Sequence, residues 1–342
     1  MGFVVESHLL ETPRHTTFYL ACGAADAPPI IFVHGWPELS LSWRHQLPCF
    51  ASLGFRAIAP DMRGYGRSSV YPRHEDYALE HAVADMLELL ASTGREQALW
   101  VGHDWGAPVV WSLASHHPER CVAVANLCVP YFANGFCPEN LLPYVDRDIY
   151  PQATYPVGQW DYQYFYEENF DDATRSFDAD ARANVRAQFR KGNPKAVGKP
   201  ARLSHIRRDG GWFGGAGRAP DVPLDTDVLS EADLDIYAGA LQRNGFFGPN
   251  SWYMNHRRNQ HYAATSVGGG RLHMPVLFLH AEYDTVCETV VSRLAEPMRR
   301  DCERLREMRV PSGHWMAQER PQAVNAAIAR WLACDVPSAW PT

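Results

Sequence analysis

Continuously apolar runs of four to seven residues recur along the chain, at 30–33, 55–59, 98–101, 121–127 and 275–280, most of them bounded by Gly, Pro or Asp. Runs that do not alternate with polar residues suit parallel strands covered on both faces. Between them the apolar period becomes helical. One helix is predicted over 76–93, with Leu79, Val83, Met86, Leu87 and Leu90 on one stripe and Gly94 as the stop. Another is opened by Pro321 and turns Val324, Ile328, Trp331 and Leu332 inward. Strands alternating with amphipathic helices predict an α/β fold around a mostly parallel central sheet.

The alternation stops near Val129 and resumes near Met274. The intervening stretch is rich in Tyr, Trp, Phe, Gly and Pro, with helical pieces at 161–169 and 231–244 and a glycine-rich stretch at 209–217. The reading is a core built from 1–130 and 274–342, with 131–273 inserted as a helical lid above the sheet. Within the lid, 186–208 holds eight Lys or Arg. That run reads as a solvated face, with an anion or partner site as the alternative.

Composition narrows the class. The 342 residues are 46% apolar and 21% charged, as expected of a folded chain with a large core. Thirty-two Lys and Arg against 39 Asp and Glu leave a net charge of −7, so no basic face suits nucleic acid. The eight cysteines are scattered, without Cys-x-x-Cys or metal-ligand spacing, so neither a metal site nor a redox motif is expected. Free thiols point to the cytoplasm. There is no basic-then-apolar leader, and no apolar stretch approaches ~18–20 residues, so no membrane anchor is expected. Composition is silent on oligomeric state.

The chemistry concentrates where a predicted strand runs into Gly102-His103-Asp104-Trp105-Gly106 and then a helix. This is the context of a nucleophile elbow, in which small residues two before and two after the nucleophile let backbones approach in a sharp turn. The central residue is Asp. A carboxylate is ionised at neutral pH and needs no base to attack, and it suits displacement at an sp³ carbon. Attack on an ester or amide would give an anhydride, a poor route to hydrolysis. The competing reading is an Asp that caps the following helix. Two further segments complete a site. The strand ending in His34-Gly35-Trp36-Pro37 offers the Trp36 backbone N–H as one oxyanion donor, with the Trp105 N–H as the other. After the run at 275–280 comes Asp284, and thirty residues later Gly313-His314-Trp315. His314 can act as a base if an acid fixes its ring; Asp284 is the candidate, with Glu282 the nearest rival.

Together, His34-Gly-Trp-Pro37, Arg63-Gly-Tyr-Gly-Arg-Ser68, Gly102-His-Asp-Trp-Gly106, Asp284 and Gly313-His-Trp315 resemble the α/β-hydrolase-fold epoxide hydrolases. The resemblance spans essentially the whole chain, lid included. It implies two lid tyrosines that hold the epoxide oxygen, matched here by Tyr162 in Trp160-Asp-Tyr-Gln-Tyr-Phe-Tyr166 and by Tyr253; a slip of register would make Tyr164 or Tyr166 the donor instead. The chemistry asks for such groups, because an opening epoxide develops an alkoxide and a neutral phenol of pKa ~10 can protonate it.

The expected activity is conversion of lipophilic epoxides to vicinal diols through an ester on Asp104, hydrolysed by water that His314 and Asp284 activate. No cofactor is required, and the expected partner is the small-molecule epoxide. An apolar, aromatic pocket is expected from Trp36, Trp105, Phe132, Trp212 and Phe213. The alternatives are a haloalkane dehalogenase using the same Asp nucleophile, and a non-catalytic, lid-covered ligand-binding relative.

Overall fold

The computed structural model describes residues 3–341. Eight strands form one sheet: β1 (Glu6–Glu11), β2 (Thr16–Cys22), β3 (Pro29–Val33), β4 (Arg56–Pro60), β5 (Ala98–His103), β6 (Cys121–Leu127), β7 (Leu272–Ala281) and β8 (Cys302–Val310), in the spatial order β1-β2-β4-β3-β5-β6-β7-β8. The β1–β2 and β2–β4 pairs are antiparallel; from β4 to β8 every pair is parallel. The five apolar runs are the buried strands β3 to β7, and β3, β4 and β5 are buried at every position. The helices Leu79–Ser92 and Gly106–His116 pack together, as do Gln46–Ser52 and Pro321–Asp335, and each pair touches the sheet.

Three differences from the sequence reading have physical causes. The edge hairpin β1–β2 carries no continuous apolar run, because β1 is exposed or half-exposed at all six positions. The helix predicted from 76 begins at Leu79, because Ala78 is extended (ψ 151°) after a separate turn at His74–Tyr77. At the far edge, β8 includes Arg304–Val310 but begins two residues earlier, and its outer positions face solvent.

Strand order places the site. From β3 the chain moves outward to β4 and then returns to the other side of β3 as β5. At such a switch the loops leaving the two neighbouring strands diverge and open a crevice at their carboxyl ends. The loop after β3 carries Trp36, and that after β5 carries Asp104. Between β6 and β7 the described residues form helices and turns with no strand, including Asp161–Glu168, Glu231–Asn244 and His256–Ala263.

The segment Arg63–Ser68 forms a loop beside this crevice, buried at every residue but Arg67. Asp61 accepts hydrogen bonds from the Ser40 N–H (2.8 Å), the Ser40 hydroxyl (2.7 Å) and the Arg67 N–H (3.0 Å), and any Cβ on Gly66 would collide with its carboxylate. Arg63 is 3% exposed and meets the fully buried Asp85 twice, Nε at 2.7 Å and Nη2 at 2.9 Å. Arg14 Nη2 also meets Asp85 at 2.6 Å, so removing Arg63 leaves the buried carboxylate with one cation in place of two and fewer hydrogen bonds. Arg63→Met is therefore expected to cost about 1–3 kcal/mol of stability, measured as a fall in urea-unfolding free energy.

Candidate active site

The turn after β5 is strained in the way a nucleophile elbow requires. Asp104 sits at φ 48°, in the left-handed region, between β5 and the helix Gly106–His116. A non-glycine residue there costs about 1–3 kcal/mol. The neighbouring backbones hold it: a Cβ on Gly102 would strike the Asn126 side chain and the Gly106 carbonyl, and one on Gly106 would strike the Val33 carbonyl. A Cβ on Gly35 would collide with both the Asp104 carboxylate and the Trp105 amide nitrogen, so those two groups face the same point on the β3 loop.

The two carboxylate oxygens of Asp104 are differentiated. Oδ1 accepts the Trp36 N–H at 2.6 Å, while Oδ2 lies 3.3 Å from His314 Nε2. On the other side of the ring, His314 Nδ1 is 3.0 Å from Asp284 Oδ2, and Asp284 Oδ1 accepts the Val286 N–H at 2.7 Å. Glu282 makes no hydrogen bond to His314; its own backbone N–H goes to Val310. Burial works against charge on Asp104, but the His314 hydrogen bond and charge, His103 and the Trp36 N–H outweigh it and hold the carboxyl below its usual range. For His314, burial disfavours the cation, yet Asp284 and Asp104 together raise its pKa well above the ordinary value.

A second charged pair lies beneath. His103 and Glu38 are both buried, with Nδ1 to Oε2 at 2.8 Å. The other ring nitrogen, Nε2, is 2.7 Å from the His314 carbonyl oxygen. A carboxylate and a carbonyl can only accept, so both ring nitrogens carry protons and His103 is an imidazolium. Burial opposes this, but Glu38 raises its pKa to about 10. Glu38 Oε2 also accepts the Gly35 N–H at 3.0 Å, and its Oε1 accepts from Gln318 at 3.2 Å. Nearby, Glu319 Oε2 accepts the N–H of Gly313 (2.8 Å) and of Gly192 (3.0 Å) in the inserted segment, and Trp315 Nε1 donates to the Gln188 carbonyl (2.8 Å). Of these supporting residues, His103, Gly313 and Trp315 appeared in the sequence motifs without this role, and Glu38, Gln318 and Glu319 were not singled out; charged side chains next to the motifs, Glu38 after Pro37 and His103 before Asp104, were the available signal.

Tyr162 and Tyr253 line the cavity above Asp104 with Trp36, Trp212 and His314. Their rings meet edge-on at 5.7 Å. Gln163 donates to the Tyr162 hydroxyl oxygen at 3.1 Å, which leaves the phenol proton free to be donated. Burial raises the pKa of both phenols, so both remain protonated at neutral pH. The other two tyrosines of the helix Asp161–Glu168 lie elsewhere: Tyr164 is on the opposite side, under the Arg207 guanidinium (5.2 Å), while Tyr166 stacks behind Tyr253 at 4.3 Å and 13°.

Of the expected pocket residues, Trp36, Trp105 and Trp212 wall the space around Asp104. Two do not. Phe132 packs edge-on against Phe136 and Tyr144 and borders a separate cavity with Trp111 and Tyr131. Phe213 lies outside Phe177, whose ring separates it from Trp36, and borders another cavity beneath Arg202. Among the described residues, one group could offer several metal ligands, His103, Cys128 and His314, within 4.8 Å of one another. Both nitrogens of both rings are already engaged, and the Cys128 thiol donates to the His314 carbonyl at 3.3 Å, so no ligand set is free. No helix among the described residues is long and apolar enough to cross a membrane.

Comparison with known proteins identifies the family. Residues 28–321 match the family model described as alpha/beta hydrolase fold. Epoxide hydrolase A of Mycobacterium tuberculosis (strain ATCC 25618 / H37Rv) is 34% identical over 334 residues, covering 97% of this chain and 98% of that protein. Bifunctional epoxide hydrolase 2 of Sus scrofa is 32% identical over 309 residues; the match covers 90% of this chain but only 52% of the pig protein, so the chain spans about half of that relative's length. Among solved structures, epoxide hydrolase A from Mycobacterium thermoresistibile superposes with a TM-score of 0.79 at 30% identity, covering 97% of this chain and 99% of that one. An elbow aspartate, an Asp-oriented histidine and two overhanging tyrosines therefore sit in a chain that belongs to the epoxide hydrolases of the α/β-hydrolase fold.

Proposed function

We propose that this epoxide hydrolase converts lipophilic epoxides to vicinal diols through an ester on Asp104, with 131–273 as the lid that carries the two substrate tyrosines. One observation carries the reading: Asp104 Oδ1 is pinned by the Trp36 N–H, while Oδ2 lies beside His314 in a cavity lined by Tyr162 and Tyr253. Oδ2 attacks an epoxide carbon from the side away from the breaking C–O bond. A phenol proton moves to the ring oxygen as it becomes an alkoxide, giving a hydroxyalkyl ester. His314 then takes a proton from water, which adds to the ester carbon. The oxyanion develops on Oδ1, against the amides of Trp36 and Trp105. Collapse expels Oδ2 with the product, protonated by His314, and the remaining carboxyl proton restores the phenol.

The pair of negative neighbours around His314 gives the two steps different needs. While Asp104 is charged, His314 is held as a cation; esterification removes that charge and leaves Asp284 alone, so the ring's pKa falls, its proton passes to solvent and the ring can serve as a base, taking a proton back from solvent once the Asp104 carboxylate is regenerated.

The dehalogenase alternative, in which Trp105 beside Asp104 would hold the halide, is disfavoured because the two phenols lining the cavity over Asp104 suit an alkoxide and have no use for a halide, and the Trp36 indole N–H is taken by Asn250 Oδ1 at 3.0 Å. A pure binding role leaves the Asp104–His314–Asp284 series without a purpose. The eight free thiols support a reducing, cytoplasmic location.

His314→Gln should accumulate the ester, seen by mass spectrometry as protein heavier by one substrate molecule; Asp104→Asn should show neither adduct nor diol. A single turnover in ¹⁸O-water should place the label in Asp104, and first-turnover diol carrying it would refute the ester. Replacing Tyr162 and Tyr253 together by Phe should lower kcat/KM by at least about 10²-fold with the fold retained. Ester hydrolysis, followed in rapid-mixing experiments, should rise with pH as His314 loses its proton and then level off. Its midpoint should lie below the pH at which His314 titrates in the free enzyme by NMR.

A further inference from the structure

The loop after β7 brings Asp284 to His314 and walls the cavity with Thr285, Val286 and Cys287. The next two residues, Glu288 and Thr289, anchor it to different neighbours. Thr289 Oγ1 lies 2.8 Å from His280 Nδ1 on β7, whose Nε2 lies 2.9 Å from Glu307 on β8. Glu288 reaches into the inserted segment instead. Its Oε1 accepts from the Tyr150 hydroxyl at 3.0 Å, and the Tyr150 oxygen accepts the Ala201 N–H at 3.1 Å. Glu288 thereby joins the Asp284 loop to two separate stretches of the insertion.

The surroundings of Glu288 do not suit a carboxylate. The residue is 3% exposed, and its Oε2 is buried without a hydrogen-bond partner. Its charged neighbours are Asp284 on the same loop and Asp146 from the insertion, both of like sign. The cations nearby are engaged elsewhere: Arg147 donates to the carbonyls of Tyr150, Tyr155 and Pro156, His280 serves Thr289 and Glu307, and His314 lies between Asp284 and Asp104. A buried carboxyl with one donor and two negative neighbours stays protonated. Burial pushes it up to about 8, with Asp284 and Asp146 adding to the effect and the Tyr150 hydrogen bond opposing it.

We infer that Glu288 is a positioning residue that works as a neutral carboxyl: protonated, it clamps the Asp284 loop to the insertion, and loss of its proton releases the clamp and disables the site. This rests on the proposed hydrolysis, in which Asp284 orients the base. Once ionised, Oε2 requires hydration, and water reaches it when the loop and the insertion part. That parting moves Asp284 away from His314 and Val286 away from the cavity wall. The result is an alkaline limit on activity, set by a group that does not touch the substrate.

The test follows kcat/KM of the purified full chain on styrene oxide as pH is raised, a quantity that reads the free enzyme. The wild type should decline above pH about 8, approaching about tenfold per pH unit. Glu288→Gln, fixed in the neutral form, should lose this limb. The midpoint should move up in Tyr150→Phe, which removes a hydrogen bond favouring the anion, and down in Asp146→Asn, which removes a negative neighbour. A merely structural contact would not move the midpoint in opposite directions. Two further measurements are independent of turnover. Infrared spectra at pH about 6 should contain the carbonyl band of a protonated carboxylic acid that Glu288→Gln lacks, two units below the titration at about 8. The folded chain keeps a proton that the unfolded chain releases near 4.5. The wild-type unfolding constant, relative to that of Glu288→Gln, should therefore rise between pH about 5 and about 8 and then level off. An alkaline limb that persists in Glu288→Gln, or the absence of the band, overturns the inference while diol formation leaves the proposed hydrolysis standing. If Glu288→Gln does not fold, the two opposed midpoint shifts decide, and their absence overturns it. If neither styrene oxide nor a terminal or disubstituted alkyl epoxide yields diol, the proposed hydrolysis fails, and the band and the unfolding series decide whether Glu288 is the neutral clamp.

Discussion

The buried ion pair between Glu38 and His103 is the constraint on which the site depends. An isolated ion in that position would cost several kcal/mol of desolvation, so each charge is retained through the other and through backbone groups that complete its hydrogen bonds. The pair and those backbone groups tie together three different loops. Glu38 takes the Gly35 N–H, one residue before the Trp36 amide that binds Asp104; His103 directly precedes Asp104; and its second nitrogen binds the carbonyl of His314. One pair thereby fixes the relative positions of the Trp36 amide, Asp104 and His314, the proposed oxyanion donor, nucleophile and base, which come from the loops after β3, β5 and β8.

Strain and support balance locally. The left-handed Asp104 persists because glycines at 35, 102 and 106 let three backbones crowd around it, and because two directional partners, the Trp36 amide and the His314 ring, hold its oxygens apart in role. The two sides of the carboxylate thus meet opposite demands. In the proposed reaction one must remain fixed to receive developing charge, and the other must reach a substrate carbon.

How much of this was legible in the sequence follows the range of the interactions. Strands buried on both faces announce themselves as unbroken apolar runs, whereas β1, exposed along its length at the sheet edge, has no such run to read. Asp104 was legible because its bracketing glycines are a local requirement of the turn. Tyr162 could not be separated from Tyr164 and Tyr166 by composition, although helical geometry puts 162 and 166 on one face; the choice between those two depends on Tyr253, ninety-one positions away in the chain. Phe132 and Phe213 looked like pocket residues because they are aromatic and belong to the inserted segment, but Phe136 and Phe177 stand between them and the nucleophile's chamber. The Glu38–His103 pair was hidden for the same reason: sixty-five positions separate its members, and only the return of the chain past β3 makes them neighbours.

Glu319 gives the inserted segment an unexpected mechanical character. Its single oxygen Oε2 clasps Gly192 and Gly313 together, at a crossing so tight that a Cβ on either glycine would strike the other's backbone, and Trp315 is stitched to Gln188 alongside. Moving the inserted segment at this edge would drag the His314 loop with it, so any motion of that segment that left Asp104, His314 and Asp284 in place would have to hinge elsewhere.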